Sequence, residues 1–195
     1  MSNAREDRFC ALYAATRPRI VAYVLRRITS SSDAADIISD IYEIAWRRLE
    51  DVPDGHSGLL WLYVTARYVI SNQRRRLHRH GETTARLADE LGRTSLRIEA
   101  TDEESLVMRS CLNSLPSDDR ELLMLAGWEG LTASEIGHVM GCSPTAARIR
   151  LHRARARLKA ALTESSPHEK QVRGFGHGQH TDVESNGAPQ EVLEQ

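Results

Sequence analysis

Apolar residues recur at intervals of three and four along most of the chain and never alternate at period two, which predicts helices and no strands. The first run carries Phe9, Leu12, Tyr13, Ile20, Val21, Val24, Leu25 and Ile28. Pro18 falls inside it and disfavours helical geometry at Arg17, so two helices or one kinked helix are expected. After a break at Thr29–Ser32, Ser32 or Asp33 is expected to cap a second helix, with Asp33 and Asp36 near its positive end. Its apolar positions are Ile37, Ile38, Ile41, Ile44, Ala45, Trp46 and Leu49. Pro53, Gly55 and Gly58 mark 51–58 as a loop. A third helix runs from about Leu59 to Leu77 with an inner stripe of Leu62, Ala66, Val69, Ile70 and Leu77. The pattern fades over 81–104 and returns at Leu106, Val107, Cys111, Leu112 and Leu115. Pro116 stops that helix, and Ser117 with Asp118 and Asp119 opens one that is apolar at Leu122, Leu123 and Leu125.

The clearest local chemistry follows. Thr132-Ala133-Ser134-Glu135 is a capping box that opens a short helix ending at Met140. Gly141 suits a left-handed terminus. Ser143-Pro144 then supplies an N-cap and a proline at the first helical position. Two helices joined through a glycine turn have the form of a helix-turn-helix. The first should bury Ile136, Val139 and Met140, the second Ala147, Leu151, Ala154 and Leu158. The rest of the second is cationic: Arg148, Arg150, His152, Arg153, Arg155 and Arg157. A major-groove reader places the N-terminal part of such a helix on base edges, so Thr145, Ala146, Arg148, Ile149 and His152 are candidates. Arginines such as Arg153, Arg155 and Arg157 suit phosphates. The plainer alternative is a solvated basic helix in a bundle.

Charge sharpens the division. The net charge of −1 conceals +4 over residues 1–80, −4 over 81–104, +3 over 105–162 and −4 over 163–195. Near-neutrality therefore does not exclude a polyanionic partner. Arg supplies nearly all the cations, a bias that genome composition explains as readily as phosphate binding. A basic cluster closes the third helix at Arg74, Arg75, Arg76 and Arg79, with His78 and His80, and Arg67 and Ser71 lie on the same face as Arg74. Trp61, Tyr63 and Tyr68 precede it; aromatics beside arginines stack unpaired bases, although Trp61 also suits the core. The second helix is the opposite: Asp36, Ser39, Asp40 and Glu43 share a polar, acidic face, either a site for a basic protein or an ordinary solvated surface.

Several classes fall away. The longest useful apolar run, Leu59–Val64, is far short of the roughly 18 residues that a membrane-spanning helix needs. The N-terminus mixes acids and arginines without an apolar core behind them, so no secretory leader is expected. Cys10, Cys111 and Cys142 are odd in number and widely spaced, which gives no disulfide framework or zinc knuckle. His168, His177 and His180 lie among glycines without a rigid frame, and a solvated tail explains them better than a metal site. The expected architecture is all-α. Two small helical domains, 5–80 and 105–162, are joined by a flexible linker, 81–104, and followed by a disordered tail, 163–195.

Taken in order, these elements resemble the extracytoplasmic-function (ECF) sigma factors, the small two-domain group of the bacterial sigma family. Asp33-Ala34-Ala35-Asp36-Ile37-Ile38 with Ala45-Trp46-Arg47 is similar to one family helix. Trp61-Leu62-Tyr63-Val64-Thr65-Ala66-Arg67 with Arg74-Arg75-Arg76 is similar to the next. Leu115-Pro116, Arg120-Glu121, Glu135-Ile136 and Leu151-His152-Arg153-Ala154-Arg155 resemble the C-terminal domain. The chain departs from the family pattern at Ser39, Tyr68, Asn72, Gly137 and Ala146-Ala147. The resemblance implies a cytoplasmic subunit that binds core RNA polymerase, through its β′ and β subunits, and directs it to promoter DNA. It leaves room for an anti-sigma factor. Asp36, Ser39, Asp40 and Glu43 would meet β′. Trp61, Arg67, Tyr68, Ser71, Arg74, Arg75 and Arg76, with the 51–58 loop, would open and read the −10 element. Thr145, Ala146, Arg148, Ile149, His152, Arg153 and Arg155 would read the −35 element. The linker would thread towards the RNA exit path.

No cofactor, metal or membrane insertion is implied. The first rival reading is a free-standing helix-turn-helix regulator, which leaves the N-terminal domain without a purpose. The second is a metal hydrolase using the histidines. No H-E-x-x-H, phosphate-binding glycine loop or nucleophile motif supports it, so the chain is not expected to be an enzyme.

Overall fold

A computed structural model describes residues 2–80 and 103–165, with the side chains of 4–76 and 103–165. The greater part of the expected linker, nearly all of the expected tail, and His168, His177 and His180 lie outside the described residues, as do the side chains of Leu77, His78, Arg79 and His80.

The first helix, α1, spans Ser2–Leu25 and carries Pro18 inside it. Of the two expected forms, two helices or one, a single helix forms. The reason is the stripe on its inner face: Phe9, Leu12, Thr16, Ile20, Tyr23, Val24 and Arg27 are spaced by steps of one, three and four. They stay in phase only if the helix runs through the proline. Ile20, Tyr23 and Val24 are fully buried, and burying side chains of that size stabilises by roughly 1.5–3 kcal/mol each. That outweighs the ~3 kcal/mol cost of an interior proline. Thr16 anchors the turn before the proline, donating to or accepting from the Tyr42 hydroxyl at 2.9 Å.

Helix α2, Ser31–Arg47, starts earlier than the sequence suggests. Its N-cap is Ser30, not Ser32 or Asp33; the Ser30 hydroxyl accepts from the Asp33 amide at 3.3 Å. Ala34, Ile37, Ile41, Tyr42 and Ala45 form its buried face. A 3-10 turn, Leu49–Asp51, follows. Helix α3, His56–His80, begins three residues before the expected start, so the loop proper is only 52–55. Leu62, Ala66, Val69 and Ile70 are buried as expected.

Helices α4 (Glu103–Ser114), α5 (Ser117–Gly127), α6 (Ala133–Met140) and α7 (Pro144–Ser165) make the second half. Leu106 was expected inside but is 47% exposed, because the buried face of α4 is set by Cys111, Leu112 and Leu115 and residue 106 lies out of phase with it. Arg120 locks the α4–α5 corner. Its guanidinium donates to the carbonyls of Leu112 (2.9 Å), Asn113 (2.8 Å) and Leu115 (3.1 Å), groups that a helix end otherwise leaves without partners. Helix α7 continues to Ser165, past the expected end at Leu162, where the Ser165 hydroxyl meets the Cys111 thiol at 3.4 Å. Among the described residues there is no strand and no helix long and apolar enough to cross a membrane.

Candidate nucleic-acid interface

The helix-turn-helix forms as its local chemistry dictates. Thr132 accepts from the Glu135 amide at 3.4 Å, and Glu135 accepts from the Thr132 amide at 2.7 Å, closing the capping box. The Thr132 hydroxyl and amide hold the Glu135 carboxyl below its ordinary value. Gly141 adopts φ +68, a conformation that costs glycine nothing. The Ser143 hydroxyl accepts from the Ala146 amide at 3.2 Å and caps α7. Gly137 has a separate role. A Cβ there would stand 2.8 Å from the Cys142 carbonyl oxygen and 3.3 Å from the Pro144 nitrogen, so the bare glycine lets the turn pack directly on α6.

On α7, Ala147, Leu151 and Ala154 are buried, with Leu158 half-buried like Met140 on α6. Thr145, Arg148, Ile149, His152, Arg153 and Arg155 are exposed, and Ala146 is half-buried. The basic face is thus open along the N-terminal part of the helix. Arg157 departs from the expected phosphate role: it forms an ion pair with Asp119 of α5, whose side chain is only 12% exposed. It joins α7 to α5.

The α3 cluster is divided. Tyr68 is 61% exposed, Val64 one turn earlier is exposed, and so are Ser71, Arg75 and Arg76. Arg75 donates to Asn72 at 2.8 Å. Trp61 is half-buried against the core, under the Arg48 guanidinium. Tyr63, grouped by sequence with the base-stacking aromatics, is fully buried. Its hydroxyl donates to Glu129. Arg67 and Arg74 turn towards α5: Arg67 is 3.8 Å from Asp118, and Arg74 is half-buried beside Glu121, Arg27 and Arg120, where burial lowers its pKa. Asp36, Ser39, Asp40 and Glu43 all lie exposed on α2, with Glu43 paired to Arg47.

Between the two halves lies a buried polar seam that the sequence reading missed. Arg27 donates to Glu121 at 2.9 and 3.1 Å and to Glu129 at 3.4 Å. Arg26 donates to both Glu129 oxygens at 2.9 Å. The Tyr23 hydroxyl donates to Glu121 at 2.9 Å, and the Arg27 guanidinium sits 3.5 Å above the Tyr23 ring. Side-chain exposure is 4% for Arg27, 16% for Glu121 and 2% for Glu129. Burial alone would raise the Glu121 carboxyl, but Arg27 and the Tyr23 hydroxyl hold it below its ordinary value. Burial and the neighbouring carboxylates push the Tyr23 and Tyr63 phenols up. A smaller bridge joins His56, at the start of α3, to Glu135 at 2.6 Å. One signal for the seam stood in the pattern: Arg27 continues the inner stripe, four after Tyr23 and three after Val24.

The division into two helical halves, one ending in a helix-turn-helix, is matched by known proteins. Residues 12–80 match the family Sigma-70 region 2, and residues 105–158 match Sigma-70, region 4. The ECF RNA polymerase sigma factor ShbA of Streptomyces griseus is 29% identical over 163 residues, covering 76% of this chain and 84% of that protein. The RNA polymerase sigma factor CarQ of Myxococcus xanthus is 28% identical, covering 82% of this chain and 91% of that protein. Among solved structures, the sigma factor RpoE in complex with the anti-sigma factor NepR from Bartonella quintana has a TM-score of 0.65 at 22% identity, over 81% of this chain and 98% of that one. CnrH in complex with the cytosolic domain of CnrY has a TM-score of 0.56 at 26% identity, over 81% and 89%. The chain belongs to the sigma-70 family, as a sigma factor of the extracytoplasmic-function group. It acts in transcription initiation, with core RNA polymerase, at promoter DNA.

Proposed function

We propose that this cytoplasmic sigma factor divides its work among three surfaces. The exposed acidic face of α2, Asp36, Ser39, Asp40 and Glu43, docks on the polymerase β′ subunit. The loop after α2 and the exposed edge of α3, with Trp61, Tyr68, Ser71, Arg75 and Arg76, open and read the −10 element. Helix α7 reads the −35 element through Thr145, Ala146, Arg148, Ile149 and His152, with Arg153 and Arg155 on phosphates. The observation that carries this reading is α7: its apolar positions are buried on α6 and α5 while its cationic face is open. Arg67 and Arg74 belong to the −10 surface as well, and they reach DNA when α5 moves away from them. The domains proposed are 5–80 and 105–162. The solved relatives RpoE and CnrH are captured with an anti-sigma factor and with CnrY, and an anti-sigma factor is proposed as a third partner here.

Run-off transcription with purified core polymerase on genomic promoter fragments tests the reading. Specific transcripts are expected only when chain and core are both present. Tight, sequence-specific duplex binding by the chain alone, with no transcripts on adding core, would favour a free-standing regulator.

A further inference from the structure

We propose that Arg8 is a positioning residue for promoter reading: from a turn of α1 that precedes the Sigma-70 region 2 match, it fixes the α2–α3 loop assigned above to the −10 element. The inference rests on that assignment.

The loop leaves α2 through the 3-10 turn, where the Leu49 carbonyl accepts from the Val52 amide at 3.2 Å. Arg8 adds a second donor to that carbonyl and reaches the Val52 carbonyl beyond it. One terminal nitrogen, Nη1, donates to the Leu49 carbonyl at 2.9 Å. The other, Nη2, donates to the Val52 carbonyl at 2.7 Å and to the Asp54 carboxylate at 3.2 Å. Glu50 stands 3.8 Å away. Two nitrogens of one planar fork thus meet two carbonyls and a carboxylate, which a lysine's single ammonium cannot reproduce. The loop is pinned from other sides too. The side chains of Leu49 and Val52 are buried. Gly58 packs so closely that a Cβ there would lie 2.4 Å from the Pro53 carbonyl oxygen. What remains is an exposed tip, residues 53–57, on a rigid base. A reading loop needs that combination, because contacts to unpaired bases are lost when their support is loose.

Helix α1 has anchors on α2 that do not involve Arg8. Phe9 stacks edge-on against Trp46 with ring centroids 5.2 Å apart. Arg5, one turn earlier, donates to the Trp46 carbonyl at 2.9 Å and lies over the Trp46 ring, away from the loop. Removing Arg8 should therefore free the loop without detaching the helix.

The test is run-off transcription with core polymerase on promoter libraries randomised separately at the −10 and −35 elements, beside amide hydrogen exchange and thermal unfolding of the full chain. Arg8→Ala is expected to accelerate exchange at 49–55. It should reduce −10 discrimination by about tenfold, the equivalent of about one lost charge-assisted hydrogen bond. The −35 preference should stay, and the unfolding midpoint should move by less than about 4 °C. Arg8→Lys should recover little of the −10 discrimination, and Arg5→Ala should keep all of it. Faster exchange with −10 discrimination intact would remove the loop from −10 reading, and the inference with it. Unchanged exchange would show that Arg8 does not hold the loop and leave the −10 assignment standing. Equal losses at both elements with a lower midpoint would make Arg8 a residue of the fold alone.

Discussion

Arg27→Ala is the sharpest perturbation of the seam. It removes a guanidinium that is 4% exposed and bonded to two carboxylates. The two carboxylates fare differently. Glu129 keeps Arg26 and Tyr63, whereas Glu121 keeps the Tyr23 hydroxyl and the more distant charges of Arg67, Arg74 and Arg120 but loses its two-pronged guanidinium partner. Breaking a buried pair from one side costs about 3–5 kcal/mol, because the surviving charge stays desolvated. Glu121 escapes that cost by returning to water, which requires α5 to leave α1. The packed arrangement should therefore lose roughly 10²–10³ in population relative to a separated one. The exposed Arg67–Asp118 contact adds at most about 1 kcal/mol, while Arg26–Glu129, Tyr63–Glu129 and His56–Glu135 still cross the seam and open with it. A fluorescent donor on one half and an acceptor on the other would report the separation, with helical content followed by circular dichroism. Efficiency should fall while helicity stays, and single-stranded DNA should bind the α3 surface more tightly as Arg67 and Arg74 lose their acidic neighbours. Adding Glu121→Ala should cost much less than it does alone, since the stranded charge is gone. An unchanged distance would refute the reasoning, and so would loss of helicity in step with separation, since the apolar core of the first half does not need Arg27.

Charge reversal at Asp36 and Asp40 should weaken core-polymerase binding in a pull-down without changing helical content, because both are exposed. Arg148→Ala should cost about 1–3 kcal/mol at one position of the −35 element, read by binding to a mutated series of duplexes. Arg157→Ala should instead lower the unfolding midpoint, because it strands Asp119 in a largely buried place. Gly137→Ala should destabilise by about 1–3 kcal/mol in a denaturant titration, since the turn must give way to the new methyl. The separation signal should also respond to pH. The lowered Glu121 carboxyl stabilises the seam above its ordinary value of 4.5, and that contribution fades as acid takes the pH below it. The raised Tyr23 phenol stays protonated when folded, so the seam weakens as pH climbs past the phenol's ordinary 10.0.

The helix-turn-helix was legible because its determinants are local: a capping box, a glycine terminus and a Ser-Pro start act within a few residues of themselves. The acidic face of α2 and the open face of α7 followed from periodicity. Pro18 left two helices or one open because propensity speaks for one position, whereas the inner stripe that runs through it speaks for seven. Ser30 was passed over because three serines in a row offer equivalent caps, and only the chain's path out of α1 chooses among them. The burial of Tyr63 and the inward turn of Arg67 and Arg74 were missed for a shared reason. They face the second half some fifty residues or more along the chain, and pairing at that distance leaves no periodic trace. Arg27 left one, a cation in a core position, which reads as an ordinary helix end until Glu121 and Glu129 are found opposite.

The close approach at Gly137 separates what this protein can vary from what it cannot. The angle at which α7 leaves α6 is set by backbone resting on backbone, where a single methyl is already too much. The side chains at 145, 148, 149 and 152 project outward and carry none of that packing. Promoter preference can therefore be exchanged residue by residue along α7 at little cost to folding, by natural drift or in the laboratory. A change at 137 instead re-aims every reading residue at once. Diversification of this sigma factor should run through the exposed face of one helix while the turn before it stays frozen.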